Sequence, residues 1–130
     1  MSLPTRAVKG IIIKDDKILL LKLNPDIKEE DIWDLPGGLV EEGENGKDSL
    51  IREIEEGLGI DVLVRERSEG WKFFRSKDSN WVYVQNYLCD YLDGDIELGD
   101  EHTEYEWVDL EDVVNYPVKD ESLYLAIQNI

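Results

Sequence analysis

Residues 33–60 of this 130-residue chain, WDLPGGLVEEGENGKDSLIREIEEGLGI, constrain its fold more than any other stretch. In the first half, Pro36, Gly37, Gly38 and Gly43 disfavour regular structure and suit a loop in which backbones approach closely. Asn45 is then placed to cap a helix whose third residue, Asp48, is acidic, a variant of the capping box. Leu50, Ile51, Ile54 and Leu58 give that helix an apolar stripe, and Gly59 is placed to end it. Successive helical residues turn by about 100°, so Glu53 and Glu56 project from one side, Arg52 borders them and Glu55 points away. The stripe can therefore pack on a sheet while the acids look into a cleft.

The elements around this unit read as strands and a second helix. Residues 7–13 and 17–23 form a predicted hairpin through Asp15 and Asp16, and residues 24–31 a surface loop. Strands follow at 62–66, 71–74 and 81–91, with a turn at 76–80 between the last two. A polar loop at 93–102 leads into EYEWVDL as a last strand, then residues 110–114 and a terminal helix around 121–129. Strands, one long helix, more strands and another helix specify a mixed α/β sheet with helices packed against it, not an alternating parallel fold. At this length, with 42% hydrophobic residues, one domain spanning residues 1–130 is expected.

The charge balance narrows the partners. With 31 Asp and Glu against 14 Lys and Arg, the formal net charge is -17. Such a surface repels the phosphates of a nucleic-acid duplex, and no Lys/Arg-rich run offsets this, so neither a duplex nor an anionic membrane is an expected partner. The bland reading of the excess acid is solubility or adaptation to a salty cytoplasm. Cys89 is the only cysteine, which excludes an intramolecular disulfide and a multi-cysteine zinc site. Its strand-like setting points to a buried, inert thiol. The N-terminal residues lack the apolar core of a signal peptide and no apolar run is long enough to cross a bilayer, so a cytoplasmic location is expected.

Two carboxylates as close as Glu53 and Glu56 repel unless something positive lies between them, and a hard divalent cation such as Mg²⁺ is the natural occupant. From Gly38, the chain has five residues, Glu44, seven residues, Arg52-Glu53-Ile54, one residue, Glu56, and then Gly59-Ile60. This resembles the signature of the Nudix hydrolases, GX5EX7REUXEEXGU with U aliphatic, at eight of nine defined positions. Trp33, Leu35, Pro36 and Gly37 also look like the lead-in usual in that family.

The resemblance implies the Nudix fold, a curved mixed β-sheet sandwiched between α-helices. It also implies Mg²⁺- or Mn²⁺-dependent hydrolysis of a nucleoside diphosphate linked to another group, nucleoside triphosphates included. By the family's pattern Glu53 and Glu56 would bind metal, joined by the carbonyl of Gly38, while Glu44 and Arg52 would tie loop to helix and orient Glu53. The departure is Gly57, which stands where the family has a glutamate that is a main metal ligand. Water or another acid could complete the site, the enzyme could be slow or use a different metal, or catalysis could be lost and binding kept. Glu104 is the first candidate for a substitute acid or general base and Glu101 the second. The alternative to an enzyme is a nucleotide-binding or regulatory module with a degenerate site.

For the substrate, Trp71, Phe73, Phe74, Trp81 and Tyr83 could stack a base, although most are expected to fill core. Lys72, Arg75 and Lys77 could meet its phosphates. The resemblance admits a homodimer as well as a monomer.

Overall fold

The computed structural model describes residues 4–26, 31–119, 121–128 and 130. Seven strands form one mixed sheet: β1 (Thr5–Lys14), β2 (Lys17–Leu23), β3 (Trp33–Asp34), β4 (Gly37–Leu39), β5 (Asp61–Arg75), β6 (Asn80–Asp93) and β7 (His102–Asp109). Between β4 and β5 runs α1 (Gly46–Leu58); after β7 come a 3-10 helix (Leu110–Asn115) and α2 (Ser122–Gln128). The main order is β3-β2-β1-β6-β5, with β4 added to β1 and β7 to β2. Only the β1–β6 pairing is parallel, among the described strand pairs.

Alternation along the central strands sends side chains into two cores. Val8, Ile12, Leu19 and Leu21 meet Leu50, Ile54 and Leu58 of α1 on one face. Ile11, Ile18 and Leu20 meet Val113, Leu123 and Ala126 of the C-terminal helices on the other. Burial on both faces explains why β1 and β2 read as apolar runs instead of alternating sequences. The first hairpin turns through Asp15 and Asp16, both at positive φ, as a tight connection requires.

Three expectations need correction. Residues 62–66 and 71–74 belong to one strand, β5, whose pairing with β6 is interrupted by register shifts between Val64 and Glu66 and between Arg67 and Gly70. Its polar middle, from Arg65 to Glu69, reads as a break because it lies on the exposed part of the strand. Gly37–Leu39 is a short strand and not loop. Glycine is required there by close approach, since a Cβ on Gly37 would lie 1.9 Å from the Val8 carbonyl oxygen. Ile51 is exposed, and α1 buries Ser49 and Gly46 with Leu50, Ile54 and Leu58. Residues 27–30 of the expected loop at 24–31, and Asn129 of the expected helix, lie outside the described residues.

Candidate active site

The caps of α1 are those the sequence specifies. Asn45 Oδ1 accepts a hydrogen bond from the Asp48 N–H at 2.9 Å, and Asn45 Nδ2 donates to the Asp48 carboxylate at 3.0 Å. At the other end Gly59 adopts φ 74° and returns its N–H to the Glu55 carbonyl. The caps thus fix where α1 begins and ends, and Arg52 within it reaches Glu44 of the preceding loop.

Arg52 organises that turn. Its Nε and Nη2 donate to the two carboxylate oxygens of Glu44, each at 2.8 Å, a bidentate pairing that staples the loop to the helix. Nη1 donates to Glu53 Oε1 at 3.0 Å and to Glu56 Oε2 at 3.2 Å. Nη2 also reaches the Leu39 carbonyl at 3.4 Å. The Glu41 N–H closes the loop on Glu44 Oε1 at 3.0 Å. Arg52, and secondarily the Glu41 N–H, hold the Glu44 carboxyl far below its ordinary 4.5, down to about 2. The same hydrogen bonds donated to Glu44 push the Arg52 pKa up, so the guanidinium is a permanent cation among four acids, Glu41 at 3.7 Å being the fourth.

The Glu53 carboxylate lies against β4 at Gly38. A Cβ at Gly38 would fall 2.3 Å from Glu53 Oε2, so glycine is what lets the carboxylate reach the strand. Glu53 also lines a cleft of about 380 Å³ with Leu21, Gly57, Asp100, Glu101 and His102. Burial lowers the His102 pKa, with nearby Asp34 opposing the shift, which favours the neutral imidazole.

Of the residues singled out in the sequence, Glu44, Arg52, Glu53 and Glu56 come together, and Gly38 contacts Glu53. Glu101 lines the cleft beside Glu53, but Glu104 does not. Its carboxylate pairs with Lys22 at 3.2 Å, and Lys22 also reaches Asp31 at 3.4 Å. Strand alternation explains the difference: Glu104 pairs in register with Lys22, the neighbour of the cleft residue Leu21, and so takes the opposite face. Sequence reasoning assigned no role to His102 or Leu21 in the cleft; a lone histidine beside the acidic loop was the one available signal.

The aromatics also divide. Trp71 and Phe73 stack at 5.2 Å against Ala7, Val82 and Val84. Phe74, Trp81 and Tyr83 are 52%, 43% and 44% exposed, which corrects the expectation that most would be core. They occupy an outer face of the β5–β6 ribbon. Arg75 is committed to Asp78 at 2.6 Å, whereas Lys72 lies 5.0 Å over the Trp81 ring. Cys89 is fully buried and burial pushes its pKa up to about 12, consistent with an inert thiol.

Among the described residues, no group of three or more His, Cys, Asp or Glu converges as a complete metal site. The donors that are present are nevertheless of one chemical kind. Glu53 and Glu56 share one cation, Arg52, through one oxygen each, and Glu53 Oε2 is turned toward the Gly38 backbone. An all-oxygen set with few protein ligands fits a hard divalent cation that keeps several waters. At Gly57 a Cβ would have nothing within 4 Å, so the position missing its acid is open space in the cleft wall.

A mixed sheet between helices, with an arginine-centred acidic helix against a glycine strand, defines a class that comparison with known proteins names. The NUDIX domain model matches residues 3–127, and the chain belongs to the Nudix family. It is 35% identical over 109 residues to an ADP-ribose pyrophosphatase of Methanocaldococcus jannaschii, covering 82% of this chain and 63% of that protein. An 8-oxo-dGTP diphosphatase of Buchnera aphidicola is 33% identical over 115 residues, covering 87% and 85%. The crystal structure of a MutT Nudix hydrolase from Burkholderia pseudomallei superposes with a TM-score of 0.81 at 25% identity, over 99% of both chains. Members of this family generally use divalent metal ions. Among the described residues, no helix is long and apolar enough to cross a membrane.

Proposed function

We propose that this chain hydrolyses a pyrophosphate bond in a nucleoside diphosphate linked to another group, with Mg²⁺ as cofactor and Mn²⁺ as a substitute. The observation that carries this reading is Arg52, which holds Glu44, Glu53 and Glu56 in one network with Glu53 both against Gly38 and at the wall of a cleft. The names of the relatives support the substrate class, and ADP-ribose and oxidised or ordinary nucleoside triphosphates are the first candidates.

Glu53 and Glu56 would hold the cation, with the Gly38 carbonyl beside them. A bound divalent cation would neutralise phosphoryl charge and lower the pKa of an attacking water. The protein's own residues prepare that chemistry. Glu44 keeps Arg52 in place, and Arg52 in turn fixes one oxygen of Glu53 and one of Glu56, so neither carboxylate must reorganise when substrate binds. Glu101 is the substitute acid for the position of Gly57, because both residues line the same cleft. Glu104 is assigned a supporting role through Lys22. The substrate is a small nucleotide and the expected compartment is the cytoplasm.

A second reading, a nucleotide-binding module without turnover, is favoured by one observation, the open space at Gly57. A substrate panel separates the two. Nucleoside triphosphates, nucleotide sugars, ADP-ribose and dinucleoside polyphosphates are assayed for phosphate or pyrophosphate release with Mg²⁺ and with Mn²⁺. Chelator-sensitive turnover of any member supports the enzyme. Nucleotide binding without turnover across the panel supports the module.

A further inference from the structure

A second concavity, of about 550 Å³, lies on the same sheet face as α1 but shares no lining residue with the acidic cleft. Val8 and Tyr87 belong to the core under α1, and strand alternation places Arg6, Tyr83 and Gln85 on their side of the sheet. The hollow continues that core beyond the helix N-terminus, where Gly46 lies so close to Tyr87 that an added Cβ would sit 2.2 Å from its hydroxyl.

The lining has an unusual charge for this chain. It includes Arg6, Arg67 and Lys72, and no acidic residue, although the protein carries 31 Asp and Glu. Most other basic residues are spent on carboxylates: Lys9, Lys17, Lys22, Arg52, Arg65 and Arg75 all form ion pairs. Among the described residues, Arg6, Arg67 and Lys72 form none. Arg6 also borders Glu41, Glu42 and Glu44 in a neighbouring groove and Arg67 borders Glu66 and Glu69, but within this hollow the three cations meet no carboxylate, so its field favours an anion.

Local structure shapes the hollow. Between β5 and β6 the register steps from Arg67 opposite Tyr87 to Gly70 opposite Gln85, three residues against two, which is a β-bulge. The bulge is held by Gln85, whose Nε2 donates to the Ser68 carbonyl at 2.7 Å. Tyr83 contributes a half-exposed ring, with Lys72 Nζ 5.9 Å from its centroid. Cations for a phosphate, a ring face for stacking and a volume typical of small-molecule sites occur together.

We infer that this hollow is a second ligand site, separate from the acidic cleft, for a small phosphate-bearing molecule with a planar ring, such as a nucleoside monophosphate. The arginines face the phosphate and Tyr83 the ring. Unlike the acidic cleft, this site needs no metal, because its own charges already complement the ligand.

The test is calorimetric titration of the whole protein with AMP in excess EDTA, alongside adenosine and inorganic phosphate. Saturable AMP binding is expected, with each fragment alone weaker by about tenfold or more. The exposed pair Arg67→Ala/Lys72→Ala should weaken AMP by a similar factor, with an unchanged melting temperature, whereas Glu53→Gln should bind AMP as the wild type does. Absence of AMP binding in EDTA, wild-type affinity in the double variant, or loss of binding in Glu53→Gln would each overturn the inference. So would sedimentation showing that a second copy of the chain fills the hollow and that the double variant releases it. Because chelator silences metal-dependent turnover, a chain that proves inactive as a hydrolase would leave this result unaffected.

Discussion

Gly38→Ala tests the placement of Glu53 with the least damage to the fold. The new Cβ would meet Glu53 Oε2 at 2.3 Å and Cδ at 2.4 Å, whereas ordinary contact begins at 3.4 Å. The carboxylate must therefore retreat by about 1 Å, the difference between 3.4 and 2.3 Å. Because the obstructing atoms are the far end of a flexible side chain and not backbone, this retreat costs little stability. A misplacement of about 1 Å in a catalytic array lowers turnover by about a hundredfold. The assay is steady-state hydrolysis of the best substrate at saturating Mg²⁺, paired with a thermal melt. The expected result is a collapse of kcat with a nearly unchanged Tm. A variant that turns over within threefold of the wild type, roughly 0.65 kcal/mol in activation free energy, would refute the argument that Glu53 acts from its position on β4. Gly37→Ala gives the contrast: its Cβ meets the Val8 backbone oxygen at 1.9 Å, so that variant should lose folding itself.

Other consequences follow from the same structure. A Cβ at Gly57 meets nothing within 4 Å and the residue lines the cleft, so Gly57→Glu should add a carboxylate there and lower the half-saturating Mg²⁺ concentration for activity below that of the wild type. Ile54 is 1% exposed in the core between α1 and the sheet, and Ile54→Ala should cost about 2–5 kcal/mol in urea unfolding. Glu44 is depressed in the folded state, so its stabilising contribution is complete above its ordinary 4.5 and is lost as pH falls toward about 2. Glu44→Gln should flatten the acid limb of stability within that window, measured by denaturation at successive pH values.

The sequence made the loop-helix unit legible because its signals are local. Asn45, Asp48 and Gly59 act on backbone groups within a turn of themselves, and the stripe of Leu50, Ile54 and Leu58 needs only helical geometry. Arg52 beside three glutamates was legible for the same reason. Longer-range pairing was not: that Gly37–Leu39 joins β1 depends on residues about thirty positions earlier, and β5 was divided because its bulged, exposed middle lacks apolar alternation. Glu104 is set apart from the cleft by its place on β7 opposite Lys22, while Glu101 precedes that strand and lines the cleft. That depends on the pairing of β7 with β2, which the composition of DEHTEYEWV does not contain. The exposure of Phe74, Trp81 and Tyr83 is not legible in the sequence, because aromatic strand residues are the same letters whether or not another layer covers them.

The most direct measurement compares wild type with Glu53→Gln for release of phosphate or pyrophosphate from the best substrate at saturating Mg²⁺. The substitution keeps the size of the side chain and removes its charge. Turnover is expected to fall by about a hundredfold or more while the melting temperature is retained. Turnover at the wild-type rate would contradict the role assigned to Glu53.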